Sequence, residues 1–366
     1  MILRAKTKWL FEGKPLTQKQ EENSQLNISE IENSLTVLKS LPRRLVFELT
    51  NTCNLNCVMC GRNAADFKPT IFNMDWFNYF VPLLNTVEEV TLMGWGEPTI
   101  HPNFIEMLRV INDSNARKYF CTNGMTLDRI TDALFEYNVD VFGVSLDGAN
   151  PETNDKLRRG AYFEKITTDL RKIVKIRSTQ GLKYPHINFV FCAMRSNLHE
   201  LSKLVELAAD IGIDEVKVVY LTTFYKDLLD EILWGFEDEI RHEFDKATKN
   251  SEKYNILLKL PHIPGSDPAG NNSHKECFAV YRDLFVGSDG FVRPCMSSSH
   301  KLFPLEINKN ICEIWNSTAH QEYRKTTNVE GLMATPCKNC YQSSHCNWNK
   351  KGAFIQMGNE FSPRWE

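Results

Sequence analysis

The strongest constraint on what this chain can fold into is a rhythm. Strand-like runs recur at 44–50 (RLVFELT), 88–94 (EEVTLMG), 117–121 (RKYFC), 139–146 (VDVFGVSL), 186–193 (HINFVFCA) and 214–220 (DEVKVVY). Between them lie amphipathic runs: MDWFNYFVPLL, FIEMLRVIND, LDRITDALFEY, FEKITTDLRKIVKIRS and LHELSKLVELAADIG. Strands that alternate with helices build right-handed βαβ units and a parallel sheet. Six strands are too few for a complete eight-stranded barrel, so the pattern fits an open doubly wound sheet or a partial barrel. In either fold, ligands gather beyond the C-terminal ends of the strands.

The loops at those ends carry the unusual residues. The first strand runs into ELTNTCNLNCVMCGR, with Cys53, Cys57 and Cys60. GWGEP follows the second strand, TNG the third, SLDG the fourth and MRSN the fifth. Gly, Asn and Asp are ordinary in such loops. Three cysteines on the same rim are not.

The N-terminus has no apolar core of signal-peptide length, and no run is long enough to span a bilayer. A cytoplasmic protein with reduced thiols is expected. There are 11 cysteines, an odd number, and clustered thiols in a reducing compartment point to metal rather than disulfides. The net charge of −3 argues against nucleic acid as the partner. An iron–sulfur cluster with four irons and three thiolate ligands keeps one iron open for a substrate or cofactor. Zinc is the competing reading, although catalytic zinc usually draws on His or carboxylate partners.

CNLNCVMC resembles the Cys-x3-Cys-x2-Cys motif of radical S-adenosylmethionine (AdoMet) enzymes, and GWGEP resembles the loop that binds the methionine amino group there. The resemblance runs over residues 43–221 and implies a partial (β/α)6 TIM-type barrel. One position departs: Met59 stands where an aromatic residue is common, at a site whose backbone contacts adenine. The family chemistry follows as implication. The cluster takes one electron, AdoMet chelates the open iron, and a 5′-deoxyadenosyl radical abstracts a substrate hydrogen atom. Cys53, Cys57 and Cys60 would hold the cluster. Gly96 and Glu97 would meet the amino group, with Gly94 and Trp95 shaping the turn. Ser145 and Asp147 would contact the ribose. Arg195, helped by Asn197, would pair with the methionine carboxylate, and Asn123 is a further candidate.

A second group comprises Cys277, Cys295, Cys337, Cys340 and Cys346. The stretch CFAVYRDLFVGSDGFVRPC reads as a hairpin turning at GSDG. Spacing alone leaves a zinc ribbon open. The pattern is similar to the SPASM domain of some radical AdoMet enzymes, but it is truncated, because Lys350 stands where a further cysteine belongs. That implies one auxiliary four-iron cluster, as in the shorter twitch form. Its favoured ligands are Cys277, Cys295, Cys337 and Cys340, with Cys346 as substitute or neighbour. Cys121, Cys192 and Cys312 read as structural, and His101 as a packing or capping residue. His345 is a remote surrogate ligand.

The expected organisation is an N-terminal extension with one helix (1–42), the barrel (43–225), a connecting helix, strand and linker (226–273), a small C-terminal iron–sulfur domain (274–350) and a tail (351–366). The helix of the extension is expected at 29–41, opened by Ser29 and Glu32. The expected activity is a two-electron oxidation of a small molecule or peptide, with an external one-electron reductant such as flavodoxin or ferredoxin. A radical epimerase or bond-forming maturase is the alternative, and a zinc-stabilised binding protein the remote one. No catalytic base is assigned.

Overall fold

The computed structural model of the chain describes residues 14–64, 68–265, 277–296, 298, 300–329, 331–334, 337 and 354–355. The six expected strands all form: β1 (Arg44–Phe47), β2 (Glu89–Leu92), β3 (Arg117–Thr122), β4 (Val141–Ser145), β5 (His186–Ala193) and β6 (Glu215–Tyr220). They pair in parallel, each with the next. Helices Met74–Phe80, Phe104–Asn112, Leu127–Glu136, Phe163–Thr179 and Leu201–Ile211 fill the crossovers. The architecture is the partial barrel of the sequence reading.

Alternation along each strand sorts side chains between two faces. One face packs under the helices. There Phe47 meets Phe72, Phe77 and Phe80 at 5.2, 5.8 and 5.3 Å between ring centroids. Phe120 stacks on Phe142 at 5.4 Å. The opposite, inner face carries Tyr119, Cys121 and Val141, packed with Met93.

The sheet does not stop at six strands. β7 (Leu257–Lys259) joins β6 in parallel. β8 (Asp283–Val286), from the C-terminal region, joins β1 in parallel and turns into antiparallel β9 (Phe291–Arg293). β10 (Phe303–Pro304) completes a sheet of 10 strands among the described residues. The hairpin at GSDG forms as expected, and the expected boundary at 273/274 lies outside the described residues. Residues of the expected tail also return to the barrel. Phe354 is fully buried 5.3 Å from the Tyr220 ring, and its carbonyl accepts the Thr223 amide at 2.9 Å.

Two helices differ from expectation. The N-terminal helix runs Gln18–Glu32, and Ser29–Glu32 is its last turn rather than its start. Thr17 and Gln20 form the capping box that opens it. Its buried face is polar: Gln20, Asn23, Ser24, Asn27 and Glu30. Gln20 donates to the Val87 carbonyl and Asn27 to the Tyr281 carbonyl, each at 2.8 Å. A helix docked by hydrogen bonds leaves no apolar stripe to read. The helix expected within the connecting segment 226–273 begins only at Glu237 and runs to Tyr254. Gly235, with φ +91°, sits in a backbone region that ends regular structure before it.

His320 links this fold to pH. It is 1% exposed, between the rings of Trp315 (5.4 Å) and Phe303 (5.7 Å). Burial, with Arg324 nearby, pushes its pKa down to about 4 from the ordinary 6.5. As pH falls, the unfolded chain binds this proton first. Its contribution to stability is therefore complete above pH 6.5 and is lost on the way down to about 4. The expected slope is about 1.4 kcal/mol per pH unit. Urea midpoints at pH 7 and pH 5 measure it, and His320→Gln should flatten that part of the pH dependence.

Candidate functional site

The cysteine loop is fixed by its own backbone. Asn51 accepts the Thr70 amide and donates to the Lys68 carbonyl, both at 2.8 Å. The amides of Asn56 and Val58 donate to the carbonyls of Arg159 (2.9 Å) and Leu157 (2.8 Å). The Cys60 amide donates to the Cys57 carbonyl at 3.1 Å. Cys53, Cys57 and Cys60 are all partly exposed. Burial pushes the Cys57 thiol up to about 11, Arg158 pulls it back, and burial raises Cys60 as well. Thiols raised in this way, Cys57 and Cys60, stay protonated until a cation displaces the protons.

The GWGEP loop lies against this one, and its glycines are steric requirements. A Cβ on Gly96 would fall 2.2 Å from the Thr52 carbonyl oxygen, and one on Gly94 would fall 2.2 Å from Glu48 Cγ. The amides of Trp95, Gly96 and Glu97 donate to Glu48 Oε1 (2.9 Å), the Thr50 carbonyl (3.1 Å) and the Thr52 carbonyl (2.9 Å). In a trans peptide the carbonyl points opposite to the amide. The Gly94, Trp95 and Gly96 carbonyls are therefore turned away from the first loop as a row of acceptors.

The Glu97 side chain is placed differently from expectation. It is 3% exposed and accepts from Thr99 Oγ1 (2.5 Å), Thr122 Oγ1 (2.7 Å) and the Asn123 amide (2.7 Å). Its carboxylate laces the second loop to the third. The ring of Trp95 stands edge-on to Phe224 at 5.8 Å.

Ser145 is at the rim, half-buried, with Oγ 3.6 Å from Cys121 Sγ. Asp147 is fully buried. It accepts the Cys192 amide at 2.7 Å and ion-pairs with Arg158 at 2.7 Å. Asn197 is fully buried as well, accepting the Met194 amide (2.8 Å) and donating to the carbonyls of Asp147 and Cys192 (3.0 Å each). In this structure both side chains spend their polar atoms inside the fold, so the cofactor contacts expected of them are not what their geometry offers. Arg195, expected at the methionine carboxylate, lies at the surface. It is exposed, with its guanidinium 4.0 Å above the Phe236 ring and Nη1 donating to the Asp230 carbonyl at 3.3 Å.

Two residues that the sequence reading missed stand at the centre. Arg158 is 12% exposed, with its charge beside Asp147, Cys57, Cys192 and Cys121. Burial works against that charge, and Asp147 outweighs it. LRRG lies outside every strand-end loop, so only the fold brings it here. Glu48, fully buried at the end of β1, accepts from the Trp95 amide (2.9 Å), the Ser288 amide (3.1 Å) and Ser288 Oγ (2.9 Å). Burial raises its pKa, against the opposing amide of Trp95 and charge of Arg293. It ties GWGEP to the C-terminal hairpin.

In the second group, Cys277, Cys295 and Cys337 are described and half-buried. Cys340, Cys346 and His345 lie outside the described residues. Asn328 fixes Cys277 from both sides, accepting its amide (2.8 Å) and donating to its carbonyl (3.1 Å). Charge on Cys277 raises the Cys337 pKa, which burial already pushes up to about 11. Tyr323 feels both Cys337 and Cys295. His101, as expected, packs and caps: its Nε2 meets the Phe72 carbonyl at 3.0 Å and its Nδ1 accepts the Asn103 amide at 3.1 Å. No described helix is long and apolar enough to cross a membrane.

The donor set fits an iron–sulfur cluster: three soft thiols, no His or carboxylate within the loop, and a nearly buried arginine beside them. Comparison with known proteins agrees. The radical SAM superfamily model matches residues 47–187, and the SPASM iron–sulfur cluster-binding domain model matches 277–341. The AdoMet-dependent heme synthase of Methanosarcina barkeri is 30% identical over 350 residues, 88% of this chain and 95% of that protein. The tungsten-containing aldehyde ferredoxin oxidoreductase cofactor-modifying protein of Pyrococcus furiosus is 25% identical, over 86% of this chain and 92% of that one. Among solved structures, Streptococcus suis SuiB with S-adenosylmethionine shares the fold at TM-score 0.65 and 16% identity, over 83% of this chain and 72% of that one. The chain belongs to the radical SAM superfamily and carries a SPASM-type iron–sulfur domain at its C-terminal end.

Proposed function

We propose that this radical SAM enzyme catalyses a two-electron oxidation of a small molecule. The groups it would hold supply, when bound, a 5′-deoxyadenosyl radical at one centre and an acceptor for the second electron at the other. The chain's own residues provide the rest. Cys53, Cys57 and Cys60 bind the first cluster. The carbonyls of Gly94, Trp95 and Gly96 receive the methionine ammonium, and Arg158 faces the methionine carboxylate as a charged fork. Ser145, at the rim, is placed for the ribose. Cys277, Cys295 and Cys337, with Cys340 or Cys346, hold the auxiliary cluster.

The observation that carries this reading is the attachment of the second thiol group. Its hairpin is part of the barrel's own sheet through β8 and β1, and Glu48 bonds it to the GWGEP loop. Two redox centres on one rigid frame suit an oxidation that must remove two electrons in sequence. The small-molecule preference draws on two relatives that the chain covers almost completely, whose names describe heme synthesis and cofactor modification. A cytoplasmic setting, with an external reductant such as flavodoxin or ferredoxin, completes the proposal.

One observation favours a second reading. Cys121 and Ser145 stand together on the inner wall, 3.6 Å apart, where a thiol could return a hydrogen atom to a substrate radical and so yield an epimer. The experiment uses the reconstituted enzyme, dithionite and AdoMet in D2O, with panels of small-molecule alcohols and short peptides. The proposal expects 5′-deoxyadenosine release stimulated by a small molecule, with a product two hydrogens lighter and no solvent deuterium at the reacting carbon. Deuterium at that carbon in a product of unchanged oxidation level overturns it in favour of epimerisation.

A further inference from the structure

Asn123 closes the TNG loop and is 6% exposed. Its backbone amide and both polar atoms of its side chain are committed. Its amide donates to Glu97 Oε2 at 2.7 Å, and Oδ1 accepts the Met125 amide at 3.0 Å. Because Met125 N–H can only donate, the side-chain oxygen must face it, and the NH2 group must face the other way. It faces the cysteine loop: Nδ2 donates to Asn54 Oδ1 at 2.7 Å and to Cys53 Sγ at 3.5 Å. Asn123 thus stands between a cluster ligand and the carboxylate that braces the AdoMet loop.

We propose that Asn123 is a positioning residue that sets the reduction potential of the cluster held by Cys53, Cys57 and Cys60. Reduction adds negative charge to the iron–thiolate unit. An N–H dipole aimed at a ligand sulfur stabilises the reduced form more than the oxidised form and raises the potential. The effect is strong here because the amide is buried and water does not replace it easily. Its orientation is held by Met125 and Glu97, so the donor needs no reorganisation when the electron arrives. The inference rests on the cluster assignment proposed above.

The test is a potentiometric titration of the reconstituted full-length protein, followed by electron paramagnetic resonance without AdoMet. Asn123→Ala removes the donor. Asn123→Asp keeps the shape and the Met125 bond but turns a carboxylate oxygen toward the sulfur. The expected result is full iron content in both, with the midpoint of the AdoMet-binding cluster moved to more negative potential in N123A and further in N123D. The auxiliary cluster's midpoint should stay where it is. Unchanged midpoints with full iron overturn the proposal. So does loss of the AdoMet-binding cluster in both variants while the auxiliary one persists, since Asn123 would then serve assembly rather than tuning. A wild-type protein with no reducible cluster would instead remove the underlying assignment, which is a different and recognisable outcome.

Discussion

Replacing Cys53, Cys57 and Cys60 together by alanine is expected to lower bound iron from about eight to about four per chain and to abolish 5′-deoxyadenosine release. The separation rests on where each thiol group is anchored. The first sits on a loop whose shape is held by the side chain of Asn51 and the amides of Asn56 and Val58, none of which needs metal. The second is anchored by Asn328 and the β8–β9 hairpin. Losing three half-exposed thiols from a loop so pinned removes little buried surface, and the unfolding midpoint should change little. Iron analysis with anaerobic spectra, and chromatography of the AdoMet products, provide the readouts. Cofactor cleavage that survives in the triple variant is incompatible with the assignment. Loss of all iron shows that the two centres assemble as one.

The barrel was legible because its signals are local. Each strand is a short apolar run, each crossover an amphipathic one, and the hairpin turn is written in four consecutive residues. Where two local signals competed, the outcome depended on contacts distant in sequence. Thr17–Gln20 and Ser29–Glu32 both have capping-box spacing. The first opens the helix because Gln20 and Asn27 then reach carbonyls at Val87 and Tyr281. The parallel pairing of β8 with β1 is likewise invisible locally, since more than 200 residues separate Arg44 from its partner Asp283.

At the site, the sequence identified the loops better than the side chains. It pointed to the right rim, but a loop residue's direction depends on what packs behind it. Asp147 and Asn197 looked available and are consumed by Arg158 and by backbone groups. Arg195 followed a strand, as a carboxylate-binding arginine should, yet it lies on Phe236. Arg158 follows a short helix, Pro151–Leu157, that no strand-end rule covers. The amides of Asn56 and Val58 bond to the chain on either side of it and so bring it under the cysteine loop. A buried arginine needs a buried anion, and the DG of SLDG was the one available sign that such an anion was near.

Arg158 is the position where stability and function should come apart. Arg158→Met is expected to destabilise the fold by about 3–5 kcal/mol, because it strands the Asp147 carboxylate without its cation in a fully buried site. Adding Asp147→Asn should recover much of that loss, since the second charge then disappears and the asparagine oxygen can still accept the Cys192 amide. Binding should not recover. A charge-assisted hydrogen-bonded contact contributes about 1.5–3 kcal/mol, so both variants should bind AdoMet roughly 10- to 150-fold more weakly. Arg158→Lys keeps the charge but loses the planar fork, and should fall between wild type and methionine in both respects. Urea midpoints give the first quantity and calorimetric titration of the cluster-loaded protein with AdoMet gives the second. If the stabilised double variant binds AdoMet as tightly as wild type, Arg158 serves only to neutralise Asp147. The cofactor's carboxylate must then be met by another cation, and Arg62, whose charge acts on Cys60, is the next candidate.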